Sequence, residues 1–487
     1  MQIFSLIESR NRTQEIEIEV SAVSGPSQIM IVGCASQSVK ESAIRIQSAL
    51  RVCGIRLPVS STLLVNLRPT ELSKSSSGID LAIVLAILIE IEKIEPSNLF
   101  GSDASNKKIC VYGGVGLKGD IIRPKDTATL LCKTDFDFCV CAEGGGTLTG
   151  KQWHLRHIGE LFESPNWAEP SNKLQFQRPK LPLLTWGEPA SRLVELLALW
   201  PAHALVAGPP GSGKTTLSDT LWALMKGPRS DELSDILEWS DSTNTAWRPK
   251  VQPHHTMTYL SIVGGGSHIT PGEMTRAHLG LLVLDEYLEF SKQVQEALRE
   301  PLESSKFRLV RAGQAAQIMP CAFQMYATAN LCPCGRYLPN DSTKCRCSSQ
   351  KIYRSLEKIS GPATDRIDVI AFSDKWREAN ARKDLGALVN RIEAARDWIE
   401  DYVRDTECQV WKRRWQKFPQ LEFSGAAQRA FAGIQESSLR RSESVRQAAI
   451  ALACLENSSV VEGIHIEEAK EFCIKPHQAL LEARSAL

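Results

Sequence analysis

The sequence predicts an α/β protein built on a parallel sheet with crossover helices, and three observations carry that expectation. Short apolar runs recur at Ala204–Ala207, Leu281–Leu284 and residues 323–329, separated by helical stretches, as in strands joined by crossover helices. A glycine-rich turn follows the first run directly and opens a helical stretch. Beyond about Ser373 the chain is rich in Ala, Arg, Glu and Leu with helical periodicity, so a helical segment is expected to close it.

Taken in order, residues 1–163 read as one α/β domain. Glu15-Ile16-Glu17-Ile18-Glu19-Val20 alternates as a half-buried strand does, and a helical stretch lies near residues 40–52. The apolar run 81–89 ends at Glu90, well short of the roughly 18 to 20 residues that cross a bilayer. Neither a membrane span nor an export signal is expected, because the N-terminus Met1-Gln2-Ile3-Phe4-Ser5-Leu6 lacks a basic region followed by an apolar core. A cytoplasmic location follows. Residues 164–182 read as a linker, with Pro165, Pro170, Pro179 and Pro182 among polar residues. Residues 183–372 form the sheet domain, and residues 373–487 the helical third domain.

Composition bounds the partners. The 487 residues allow about three domains, and 43% hydrophobic against 23% charged residues is a globular rather than disordered balance. The 57 Lys and Arg residues nearly cancel the 56 Asp and Glu residues, so affinity for a polyanion must come from a local patch. Fourteen cysteines in a chain read as cytosolic point to a metal rather than to disulfides where they cluster.

The chemistry begins at Gly208-Pro209-Pro210-Gly211-Ser212-Gly213-Lys214-Thr215, which satisfies GxxxxGK[ST] between a strand and a helix and is followed by Thr216. Its glycines let backbone N–H groups close around a β-phosphate at a helix N-terminus. Lys214 adds charge for the β and γ oxygens, and Thr215 suits Mg²⁺. The buried strand Leu281–Leu284 ends in Asp285 and Glu286, where a phosphate loop needs an acid for the metal's water shell and a base for the attacking water. Taken alone, two acids after a strand are only a helix cap and a first-turn charge. Asn330 ends the run 323–329, where it orients that water or merely makes a turn. Arg366 lies between Asp365 and Asp368, which by itself is a surface ion pair of little worth.

Cys332-Pro333-Cys334 and Cys345-Arg346-Cys347 offer four thiolates from two short knuckles, enough to close a structural, tetrahedral Zn²⁺ site within an insert at residues 332–347. Each knuckle is CxC rather than the commoner CxxC, so a reduced, metal-free loop stays open. Trp411-Lys412-Arg413-Arg414-Trp415-Gln416-Lys417 interleaves two tryptophans with four cations on an expected helix. It reads either as a phosphate-gripping, base-stacking stretch or as core tryptophans at i and i+4 with a solvated charged face.

With these residues in hand, the chain resembles the AAA+ ATPases, specifically the magnesium-chelatase-like family of ComM and YifB. The resemblance is densest from Trp247 to Ile370: Arg248-Pro249, Pro253-His254-His255-Thr256, Val263-Gly264-Gly265-Gly266, Pro301-Leu302-Glu303, Asn330-Leu331-Cys332-Pro333-Cys334-Gly335 and Ser360-Gly361-Pro362. It extends through Ile31-Val32-Gly33, Val65-Asn66-Leu67 and Asp80-Leu81 into an N-terminal domain similar to the Lon protease domain. Leu331 stands where the family usually has proline, and Tyr287-Leu288-Glu289-Phe290 where it usually has Leu-Pro-Glu-Phe.

The resemblance implies a Lon-like N-terminal domain, an AAA+ core and a C-terminal helical lid, assembled as a homo-oligomeric, usually hexameric ring with ATP and Mg²⁺ between subunits. It implies that Arg366 is the arginine finger reaching a neighbour's γ-phosphate. Arg440 falls at the lid's sensor arginine, with Arg441 as the alternative. Residues 254–268 and 307–319 match segments that face the pore, and Arg308 and Arg311 on the second are read as DNA contacts pointing the same way. The implied activity is a DNA motor with helicase-like branch migration in recombination of incoming DNA. A chelatase-type subunit remodelling a protein partner, an ATP-dependent protease and a nucleotide-gated scaffold remain as alternatives. The protease reading needs a nucleophile in Lys74-Ser75-Ser76-Ser77-Gly78 and a downstream lysine, where Ala128 stands instead and Lys118 and Lys125 are out of register.

Overall fold

The computed structural model of the chain describes residues 2–9, 12–32, 37–68, 77–101, 106–124, 136–143, 150–169, 178–180, 185–239, 247–265, 270–309, 316–339, 345–359, 364–373, 376, 382–434 and 438–487. Arg311, Lys74 to Ser76, Lys125 and Ala128 lie outside these residues. Contacts divide the chain into two compact units, residues 1–175 with 229–238, and residues 176–228 with 239–487.

The first unit holds a seven-stranded mixed sheet. Its order is Gln28–Val32, Ser61–Arg68, Arg12–Ser24, Gln2–Ser9, Lys108–Tyr112, Phe138–Ala142 and Lys151–Leu155. The Glu/Ile alternation does what its period of two requires: Ile16 and Ile18 are buried, while Glu15, Glu17 and Glu19 stay at least partly exposed. The run beginning at Leu81 is the helix Asp80–Glu90, buried from Asp80 through Leu88 against the sheet. It is a core helix of 11 residues, too short to span a bilayer. No helix among the described residues is long and apolar enough to cross a membrane.

The second unit is built on a five-stranded, all-parallel sheet in the order Lys250–Val251, Leu281–Leu284, Gln324–Ala329, Ala204–Ala207, Val369–Phe372. Its three central strands are buried along their whole length, as continuous apolar runs covered on both faces must be. One face shares a core with the helices Leu385–Thr406, Leu439–Leu455 and Gly463–Cys473, through Val206, Leu281 and Val369 against Leu388, Val445 and Ile466. The other face packs Leu205, Leu282 and Met325 against Met274, Leu298 and Leu356.

Two expectations need correction. Residues 411–417 are not helical: Val410–Arg413 and Gln416–Pro419 form an antiparallel hairpin turning at Arg414 and Trp415, with Arg414 at φ +51°. Trp411 stacks across the strands on Phe418 at 4.6 Å, and Trp415 is buried with the Arg248 guanidinium 4.5 Å from its ring centre. Tertiary partners override the helical reading. Arg414 donates to the carbonyls of Phe323 and Pro201, and Arg413 pairs with Asp368. Two of the four cations are therefore held internally, and Lys412 and Lys417 are exposed.

The second correction concerns Arg308. Lys306–Leu309 and Gln317–Pro320 do form an antiparallel hairpin, with Arg308 opposite Ile318 and exposed. Arg308 and Arg311 are three residues apart, however, an odd step that along a strand would reverse the face, and Arg311 itself lies outside the described residues.

Candidate nucleotide site and cysteine cluster

The carboxyl ends of the parallel strands gather the polar residues. Ala204–Ala207 delivers the chain to Gly208, where a Cβ would lie 2.1 Å from Ser373 Oγ, so only glycine fits. Gly211 and Gly213 adopt φ +72° and +92°, and Gly213 opens the helix Lys214–Leu224. This left-handed turning brings loop N–H groups to a helix N-terminus, an arrangement suited to an anion.

Lys214 Nζ donates to the carbonyls of Gly208 (2.7 Å) and Pro209 (2.8 Å) and lies 3.4 Å from Asn330 Oδ1. Burial draws its ammonium below the ordinary lysine value, and the carboxylates of Asp285 and Glu286 oppose that. Thr215 Oγ1 lies 3.3 and 3.2 Å from the two oxygens of Asp285. Oxygens at this spacing fit neighbouring positions of a Mg²⁺ octahedron with bonds of about 2.1 Å, whose edge is about 3 Å. Thr215 and Asp285, directly or through water, are thus the residues that would hold the metal. Glu286 sits at φ +54°, with its carboxylate 3.3 Å from His255 Nδ1.

Three contributors escaped the sequence reading. Thr328 donates to Asp285 and accepts the Glu286 N–H at 3.1 Å, fixing both acids from the neighbouring strand. Tyr326 OH donates to Lys214 O at 2.8 Å. The available signal was the period of two through Tyr326, Thr328 and Asn330, polar groups on one face of an otherwise apolar strand. The third is His255, which the resemblance placed only within the pore-facing segment 254–268 and which lies against the Glu286 carboxylate.

Arg366 and Arg440 are gathered elsewhere, on Glu303. Arg366 donates to Glu303 Oε2 from Nε (3.0 Å) and Nη2 (2.6 Å), and Arg440 Nη2 donates to Oε1 (3.0 Å). Arg366, then Arg440, hold the Glu303 carboxyl below its ordinary value. Both arginines line a cavity of about 630 Å³ with Glu303, Arg413 and Glu443. Arg366 precedes Val369–Phe372, which runs parallel to Ala204–Ala207 with Val369 opposite Ala204. It therefore sits at the amino edge of the sheet, whereas Gly208 sits at the carboxyl edge, with four strand residues, roughly 13 Å, between. Arg441, the alternative to Arg440, is buried and donates to the carbonyls of Ile367 (2.8 Å) and Thr364 (3.3 Å).

The four cysteine sulfurs at positions 332, 334, 345 and 347 lie within 4.8 Å of one another. Cys332 and Cys334 are 3.3 Å apart, and Cys345 is 3.7 Å from each. Four thiolates at bonds of about 2.3 Å around a tetrahedral ion are about 3.8 Å apart, so the donor set fits Zn²⁺. The Arg336 backbone N–H leads the groups that draw the exposed Cys334 thiol down to about 6, while burial pushes the Cys332 and Cys345 thiols up.

A phosphate loop, a threonine–aspartate pair, a glutamate and a strand-end asparagine on a parallel sheet define the class of P-loop ATPases. Comparison with known proteins narrows this. The family profile described as magnesium chelatase, subunit ChlI, matches residues 186–380, and a second, subunit ChlI of Mg-chelatase, matches residues 18–135. YifB of Salmonella typhimurium, an uncharacterized protein, is 30% identical over 372 residues, covering 73% of this chain and 72% of YifB. An uncharacterized protein of Mycobacterium tuberculosis is 32% identical over 415 residues, covering 79% of this chain and 80% of the relative. Competence protein ComM of Haemophilus influenzae is 28% identical over 388 residues, covering 73% and 72%. The chain belongs to the magnesium-chelatase-like family of AAA+ ATPases that includes YifB and ComM.

Proposed function

We propose that this chain is an ATP-driven ring motor acting on DNA, in the manner of a branch-migration helicase, with hydrolysis shared between adjacent subunits. The position of Arg366, at the sheet edge opposite the phosphate loop and beside Arg440, carries the shared-site part. An arginine so far from its own Lys214 serves catalysis only at a neighbour's site. Head-to-tail contacts of that kind close into rings, and a hexamer is the family's usual form.

In each site Lys214 and the loop N–H groups hold the β and γ phosphates, and Thr215 and Asp285 orient the Mg²⁺ that neutralises phosphate charge. Glu286 takes a proton from the attacking water, Asn330 aligns that water, and the neighbour's Arg366 stabilises charge developing on the phosphoryl oxygens. Arg440 extends that trans contribution. The chain is read as a Lon-like N-terminal domain (1–163), an ATPase core (183–372) and a helical lid (373–487). A zinc ion holds Cys332, Cys334, Cys345 and Cys347, and the setting is the cytoplasm. The peptidase reading is disfavoured by the sequence, because Ala128 stands where the resemblance expects the lysine that would activate a serine nucleophile.

DNA as the substrate is supported by the similarity to a relative named a competence protein and by the exposed cation Arg308 on the hairpin Lys306–Leu309. The test is ATP turnover with single-stranded, duplex and branched DNA, together with movement of a three-strand or four-strand junction. Turnover should rise with DNA and that rise should weaken as salt increases, because phosphate contacts release counterions. Indifference to DNA at low salt with no junction movement would refute it. The match to the magnesium chelatase ChlI profile favours one second reading, an ATPase that remodels a protein partner and responds to that partner instead.

A further inference from the structure

We propose that the turn formed by Cys332 to Gly335 is a positioning element of the ATP site, so that metal held by the four cysteines sets the competence of Asn330 and the phosphate loop; this rests on the nucleotide-site reading above. Only Leu331, fully buried, separates Asn330 from Cys332. The chain then turns tightly. Gly335 N–H donates to Cys332 O at 2.9 Å, and Gly335 adopts φ +72°. A Cβ on Gly335 would lie 2.6 Å from Pro210 Cδ and 3.7 Å from Asn330 Cγ. The turn is thus wedged between the phosphate loop, through Pro210, and the side chain that faces Lys214.

A further observation points the same way. Cys332 and Pro333 line one cavity of about 570 Å³ together with Glu286 and Asn330. Tyr337 N–H donates to Cys332 Sγ at 3.3 Å and Cys347 N–H to Cys345 Sγ at 3.5 Å, the N–H to sulfur bonds that orient thiolate ligands. These bonds are weak compared with metal–thiolate bonds, so ion occupancy decides how firmly the turn is held. A supporting element of this kind acts through geometry. A displacement of about 1 Å at the reacting groups costs on the order of a hundredfold in rate.

The experiment uses the full-length protein purified under reducing conditions. Bound metal, thermal midpoint, affinity for a fluorescent ATP analogue, and the kcat and KM for ATP are each measured. Zinc alone is withdrawn with a chelator and then added back. We expect one zinc ion per chain, a fall of about ten- to hundredfold in kcat on withdrawal, and recovery on re-addition. Gly335→Ala removes no ligand but pushes on Pro210. It should keep its zinc and its thermal midpoint within a few degrees while kcat falls at least about tenfold. Lys214→Ala should lose nucleotide binding with zinc retained, which separates the ATP site from the metal site.

Zinc-free protein with undiminished turnover overturns the proposal. So does Gly335→Ala with full zinc, wild-type kcat and wild-type nucleotide affinity. Failure of the underlying reading is distinct: the wild-type, zinc-loaded protein then shows no ATP turnover and no loss of nucleotide binding on Lys214→Ala.

Discussion

Replacing Thr328 with valine tests the internal logic of the site, because the change keeps shape and removes one hydroxyl. That hydroxyl donates to Asp285 and accepts the Glu286 N–H at 3.1 Å. Its loss leaves a part-buried backbone donor without its acceptor, toward the lower end of about 1–3 kcal/mol, and removes a bond to a carboxylate worth about 1.5–3 kcal/mol. Relaxation recovers part of this, so a total near 3 kcal/mol is expected. If half is felt in the step that cleaves ATP, turnover falls about tenfold, since each 1.36 kcal/mol is a factor of ten. Steady-state ATP hydrolysis and nucleotide binding, measured side by side on Thr328→Val and wild type, separate the effects. Lower kcat with little change in nucleotide affinity is the expected pattern, because Thr328 touches the acids and not the phosphate loop. Turnover within twofold of wild type would refute the assignment of Thr328 as the residue that fixes both acids.

Further perturbations extend the test. Glu286→Gln should bind ATP with near wild-type affinity and lose turnover by at least about a hundredfold, measured by nucleotide binding and phosphate release. His278 should make the fold acid-sensitive. Its Nδ1 accepts the Ala322 N–H at 3.0 Å, and burial first, then Arg248, lowers it from the ordinary value to about 4. Between that value and about 6.5 the unfolded chain holds the extra proton, so stability is full above about pH 6.5 and falls toward pH 4, by roughly 3 kcal/mol for this residue. Denaturation midpoints at pH 7 and pH 4.5 should show a shallower dependence in His278→Asn, whose Oδ1 still accepts the N–H; an unchanged dependence would exclude His278 as the cause. Arg308→Ala should leave basal ATP hydrolysis intact and reduce the salt slope of DNA affinity by about one unit. A full slope in that variant would remove Arg308 from the DNA surface.

Much of this arrangement is legible from sequence because local rules and burial agree. Ala204–Ala207 and Leu281–Leu284 are short apolar runs followed by glycines or acids, and the sheet's parallel order brings their ends together. Lys214, Thr215, Asp285 and Asn330 meet there, as the motif spacing implied. What stayed hidden depends on partners distant in sequence. The 410–419 hairpin has helical spacing of its tryptophans, yet Arg414 is drawn to the carbonyls of Pro201 and Phe323, more than 90 residues away. Glu303 reads as one acid in a family block, and only folding brings Arg366 and Arg440 onto it. Thr328 is a short polar side chain in an apolar strand, a weak signal until Asp285 is seen beside it.

The central claim, a site completed by the neighbouring subunit, is tested most directly by mixing two inactive proteins. Lys214→Ala lacks nucleotide binding, and Arg366→Ala lacks the finger, whose removal costs on the order of a thousandfold or more. In a mixed ring at equal proportions, about a quarter of interfaces join an intact phosphate loop to an intact Arg366, since each partner has an even chance of either type. ATP turnover should therefore reappear on mixing, rising toward about a quarter of the wild-type rate when subunits exchange freely. Turnover that stays at the level of the separate mutants at every ratio, or an Arg366→Ala protein that hydrolyses ATP normally on its own, would contradict the shared site.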